Sequence, residues 1–123
     1  MKLTPTEEQL MNYIWKAEKV FMKDILEAYP SPKPAVTTVA TLLKRLQEKG
    51  IVAYRLYGNS REYYPLLQKR DYFSSKIKNM VSQFFDNSPH QFASFFTKEN
   101  DLNQHELEDL RNLIDQLIKE KKK

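Results

Sequence analysis

Thr37, Thr38, Thr41, Lys44 and Arg45 place three hydroxyls and two cations on one side of a short helical stretch. Threonine is an indifferent helix former, so three within five positions call for a reason. Near a helix N-terminus their hydroxyls can bond phosphate oxygens or base edges, and their methyls can meet thymine methyls. The competing use is local: Thr37 or Thr38 caps the helix and the others are solvated. Further on, Arg55 and Arg61 stand either side of Gly58-Asn59-Ser60, a turn sequence, where cations at a hairpin can hold a phosphate backbone. These seven residues are the candidate DNA contacts.

No other chemistry competes. His90 and His105 are the only histidines, neither has a second His or a Cys at ligand spacing, and no metal site is expected. Gly50 and Gly58 are the only glycines, so no phosphate-cradling loop exists. Glu106, Glu108 and Asp109 most simply solvate a helix face. The pattern is that of a binding protein without cofactor, not an enzyme.

The elements that must position these residues follow from hydrophobic spacing. Val36, Val39, Leu42, Leu43 and Leu46 predict the buried stripe of the helix opposite the threonines, and Gly50 its left-handed stop. Val52, Tyr54 and Leu56 alternate as in a half-buried strand, and Arg61 to Tyr64 reads as its return, with Tyr57 and Tyr63 expected to pair across the hairpin. Upstream, Thr4-Pro5-Thr6-Glu7 opens a helix running to about Lys16, with Trp15 as a core anchor. Met22, Ile25, Leu26 and Tyr29 mark a second helix, ended by the prolines at positions 30, 32 and 34. Three helices and a hairpin make a winged helix-turn-helix.

Beyond Arg70 the usage changes: six of the seven phenylalanines lie there. Phe73, Ile77, Met80, Val81 and Phe84 predict a helix from about Asp71 to Phe85; Phe92, Phe95 and Phe96 follow on a second, capped by Ser88. A third is opened by Asn103 and Glu106 and carries Leu107, Leu110, Leu113, Ile114, Leu117 and Ile118 before a basic end, Lys119 to Lys123. So short a helical segment seldom buries that many large apolar groups alone, and the simplest partner is a second copy. These apolar residues, through Leu117, are the candidate dimer interface.

Charge is divided in the same way. Residues 1–70 hold 12 Lys+Arg against 7 Asp+Glu, and residues 71–123 hold 8 against 9. A basic front half suits a polyanion. No apolar run reaches membrane-spanning length, the N-terminus lacks a signal-peptide pattern and there is no cysteine, so the expected setting is the cytoplasm without membrane insertion.

The residues also carry a resemblance. Leu3-Thr4, Glu8, Leu10-Met11 and Ile14-Trp15, the run from Thr37 to Leu46 closing on Glu48-Lys49-Gly50, and Tyr63-Tyr64-Pro65 resemble the penicillinase-repressor family (BlaI/MecI/CopY) along essentially the whole chain. The resemblance implies a homodimeric repressor with an N-terminal winged helix on a palindromic operator and a helical dimer domain with interlocked arms. The copper-responsive branch uses a cysteine-rich metal site, which this chain lacks. In the β-lactam branch a signalling protease cuts between an Asn and a Phe, which implies a membrane sensor or signalling protease as upstream partner. Counted back from Asp101-Leu102, the equivalent bond is Phe95–Phe96, where the Asn is absent.

The expectation is thus a mainly α protein: an α+β winged helix-turn-helix over residues 1–68 and a C-terminal helical dimerisation region over 69–123. Its partners would be double-stranded operator DNA and a second copy of itself. The rival reading is a winged helix used for protein–protein contact, which would have no use for a groove-facing Thr/Lys/Arg helix.

Overall fold

A computed structural model describes residues 2–122; Lys123 of the basic C-terminal run lies outside them. The element order is α1 (Pro5–Ala17), β1 (Val20–Phe21), α2 (Met22–Ala28), α3 (Val36–Glu48), β2 (Val52–Tyr57), β3 (Ser60–Pro65), α4 (Lys69–Phe84), α5 (Pro89–Glu99) and α6 (Gln104–Lys121). The fold is mainly α with one small antiparallel sheet of order β1-β3-β2, the arrangement of a winged helix. No described helix is long and apolar enough to cross a membrane. The chain forms two compact units, the first ending at Lys76 and the second beginning at Ile77.

The first unit is built on one core. Leu10, Met11 and Ile14 of α1, Ile25 of α2, and Val39, Leu43 and Leu46 of α3 are buried together, and Ile51, Val52 and Tyr63 close the core from the sheet. Each such side chain contributes about 1.5–3 kcal/mol of apolar burial. Helix α1 starts with a full capping box: Glu7 N–H donates to Thr4 Oγ1 and Thr4 N–H to Glu7 Oε1. Trp15 is buried as expected, its indole N–H donating to the Leu67 carbonyl at 2.8 Å and its ring against Tyr72 and Phe73.

Four expectations need correction. A two-residue strand, β1, precedes α2 and pairs Val20 with Tyr63. Val36 is 53% exposed: it continues the apolar period, but at the first turn of α3 no neighbouring element covers it. Leu56 is 64% exposed because the wing projects past the core at that point. The turn is two residues, Gly58-Asn59, so Tyr57 lies opposite Ser60, and Tyr63 faces Tyr54 with ring centroids 5.8 Å apart. Gly58 has φ 61°, which suits the first central position of the tight turn that matches strand twist.

In the second unit Phe85 is the internal anchor. Its ring meets Phe92 and Phe95, each at 5.5 Å, and Phe92 stacks on Phe96. Ser88 caps α5, and Asn103 with Glu106 forms a capping box on α6. No residue of α5 or α6 is buried.

Candidate nucleic-acid interface

The candidate contact residues fall on α3, and what fixes α3 is its two ends. At its C-terminus Gly50 takes φ 75°; its N–H donates to Gln47 O and that of Ile51 to Leu46 O, which closes the helix in a Schellman motif. The neighbouring Lys49 ammonium sits 2.7 Å from the buried Glu7 carboxylate and binds both its oxygens. Burial pushes the Glu7 carboxyl upward, but hydrogen bonds from Lys49 and Thr4 outweigh it and hold the group below its usual value. Before α3, Lys33 reaches back and donates to the carbonyls of Leu26, Glu27 and Tyr29 at 3.1, 3.1 and 2.7 Å. It thereby satisfies the open end of α2 and sets the turn between the two helices.

With Val39, Leu43 and Leu46 turned inward, Thr37, Thr38, Thr41, Lys44 and Arg45 are all exposed on the opposite face. The structure brings these five together as the spacing predicts. The capping alternative does not occur: Ala35 is the N-cap and no side chain caps the helix. The first turn holds no acidic residue, so it offers open N–H groups and the positive helix end to an anion. Thr41 differs from its neighbours, since its hydroxyl donates to the Thr37 carbonyl at 2.9 Å. What it presents outward is therefore a methyl group and acceptor lone pairs.

Arg55 and Arg61 are exposed on the wing, but they do not form one patch. Arg55 is opposite Glu62, and Arg61 is opposite Leu56. Cross-strand partners share a face and successive residues alternate, so the two arginines leave opposite faces of the ribbon. Each lies near a tyrosine: Arg61 is 4.3 Å from the Tyr54 ring centroid and Arg55 is 5.9 Å from that of Tyr64.

A model of the family described as Penicillinase repressor matches residues 3–116. The chain belongs to the penicillinase repressor family. The methicillin resistance regulatory protein MecI of Staphylococcus aureus (strain N315) is 26% identical over 114 residues, covering 92% of this chain and 93% of MecI. The penicillinase repressor of Bacillus licheniformis is 22% identical over 126 residues, covering 98% and 95% of the two chains. Among solved structures, the solution structure of the DNA-binding domain of the repressor BlaI aligns with TM-score 0.51 and 25% identity, over 58% of this chain and 88% of that one. The penicillinase repressor family is one of transcriptional repressors, not of enzymes.

In the second unit the candidate interface residues of this family member remain largely uncovered. Phe84 is 74% exposed, and Ile77, Met80, Phe95, Phe96, Leu107, Leu113, Ile114 and Leu117 are exposed too, while Val81, Phe92 and Leu110 are half-buried. Phe73 is placed otherwise: it lies in the first unit and packs its ring on Trp15 at 5.9 Å. The Phe95–Phe96 bond sits inside α5, where cleavage requires the helix to open first.

Sequence reasoning did not find Lys33 and Lys49, which position α3, nor the second role of Glu7, seen only as a capping residue. The Glu7–Lys49 pair spans 42 residues, and no local pattern signals it.

Proposed function

We propose that the protein is a cytoplasmic homodimeric repressor that binds a palindromic operator, with α3 in the major groove and Arg55 and Arg61 on the flanking backbone. The observation that carries this is the α3 face: three threonines, Lys44 and Arg45 exposed together beside an uncapped, acid-free helix start. Thr37 and Thr38 at that start are suited to phosphate oxygens and base edges, and Lys44 and Arg45 one or two turns later to phosphate and guanine. Membership of a repressor family and the likeness to the BlaI DNA-binding domain support DNA as the partner.

The dimer reading rests on the exposed apolar residues of the second unit. Two copies covering them would hold two α3 helices for two half-sites, which raises affinity through effective concentration. The upstream partner proposed from family membership is a sensor or signalling protease, and loosening of the dimer would release the operator. The experiment is a mobility shift with DNA upstream of the protein's own gene against random DNA of equal length. A retarded complex on the upstream fragment that survives excess random DNA is expected. Equal retardation of both would sink the operator reading.

A further inference from the structure

We infer that the first unit holds a binding site for a small planar aromatic carboxylate, in the cleft between the end of α1, strand β3 and the start of α4. The site stands apart from the proposed DNA binding: none of its lining residues belongs to α3, β2 or the turn of the wing. The cleft measures about 1250 Å³, ample for a small organic ligand with some water.

Its lining is graded from apolar to charged. Trp15 is the only buried residue of the lining and forms the floor. Its indole N–H is already given to the Leu67 carbonyl, so toward the cleft it has only apolar surface to offer. Tyr13, Tyr64 and Pro65 are half-buried beside it and supply flat walls. The rim is cationic: Lys16, Lys19 and Lys69 are exposed there, against one acid, Glu18. Among the described residues none of these three lysines is in an ion pair, whereas Lys49 and Lys76 of the same unit are held by Glu7 and Glu8. Aromatic walls below three uncommitted ammoniums complement a flat apolar body with one anionic end. At the same rim Glu18 turns the chain out of α1 with φ 69° and ψ −46°, a conformation that residues with side chains rarely adopt and that tends to persist at ligand sites. A ligand seated here touches α1, β3 and α4 together, so its binding should hold α4 closed over Trp15.

The test titrates cinnamate into isotope-labelled full-length protein, with the neutral cinnamamide, of the same shape, as control. Expected are saturable shifts at the amides around Trp15, Tyr64 and Lys69, a raised melting temperature, and at least fivefold weaker binding of the amide. Lys16→Gln combined with Lys69→Gln should weaken cinnamate by roughly three- to tenfold and leave cinnamamide unchanged. Both lysines are exposed, so the free variant should melt as the parent does. Absence of saturable binding would overturn the inference, as would equal binding of the two probes, shifts centred on the phenylalanines of the second unit, or full cinnamate affinity in the double variant. A fall in operator affinity of the double variant without probe would assign these lysines to DNA and overturn it too. The probe titrations contain no DNA, so failure of the repressor reading would leave their result intact.

Discussion

The Glu7 carboxylate and the Lys49 ammonium, 42 residues apart in sequence, meet at 2.7 Å and tie the first turn of α1 to the last turn of α3. Glu7 is buried whereas Lys49 keeps 34% of its side-chain exposure, so the pair stands at the edge of the core. Removing the carboxylate leaves an ammonium that can still reach water. Glu7→Ala should therefore cost about 2–3 kcal/mol, near the low end for a broken buried pair. Urea unfolding measures this, and a midpoint unchanged from the parent would refute it.

The same group gives a pH dependence. The folded-state value of Glu7 is depressed below 4.5, as is that of Glu8, which accepts hydrogen bonds from Lys76 and Tyr72. Their contribution is full above about pH 4.5 and is lost as pH falls through the folded values, so Glu7→Gln should flatten the acid limb of stability. Tyr72 is pushed up to about 12, by burial first and then by Glu8. Its contribution is full below pH 10 and fades as pH rises toward 12, so Tyr72→Phe should flatten the alkaline limb between those values. Melting temperatures across pH read both limbs.

Specificity should reside on α3. Thr38→Ala and Arg45→Ala are each expected to weaken operator binding by ~1–3 kcal/mol more than random binding. Thr41 should behave differently, because its hydroxyl proton is already given to Thr37. Thr41→Val, which keeps a methyl, should reduce affinity less than Thr38→Val. Anisotropy titrations on both DNAs decide this; an unchanged operator-to-random ratio for Thr38→Ala and Arg45→Ala would remove α3 from the major groove.

A winged-helix fragment must extend past the wing. Trp15 packs on Tyr72 and Phe73, and Glu8 binds Tyr72 and Lys76. Residues 1–76 should therefore fold as a monomer that is more stable than residues 1–70 by a few kcal/mol, since the shorter piece exposes Trp15. Both should bind the operator far less tightly than the full chain. Equal melting temperatures for the two fragments would contradict the role given to α4's first turns.

Phe84 offers the corresponding probe of assembly. At 74% exposure it adds little to its own chain, so Phe84→Asp should leave the monomer folded while raising the dimer dissociation constant by at least tenfold. Sedimentation of the full chain at micromolar concentration should give a dimer; a monomer there would remove the two-site argument.

Much of this was legible in the sequence because it is local. The capping residues Thr4, Ser88 and Asn103, the stop at Gly50 and the α3 stripe depend on neighbours within a turn or two. Strand β1 was not legible, since two residues have no period and exist as a strand only through pairing with β3. Tyr57 and Tyr63 do not pair, because the two-residue turn sets Tyr57 against Ser60 and Tyr63 against Tyr54, on opposite faces of the ribbon. The five-residue face of α3 could be read from spacing, but the faces taken by Arg55 and Arg61 depend on cross-strand register. The Glu7–Lys49 and Lys33 contacts depend on which helices meet.

Trp15 is the sole indole of the chain, hydrogen-bonded to Leu67 O and flanked by Tyr72 and Phe73. The protein thus carries its own fluorophore at the seam where α4 closes over α1. Excited at the red edge, where tyrosine is silent, its emission follows the closure of that seam and ignores the phenylalanine-walled second unit. Chemical unfolding watched by this signal and by far-ultraviolet dichroism would trace one curve if the two units melt together and two curves if they part company.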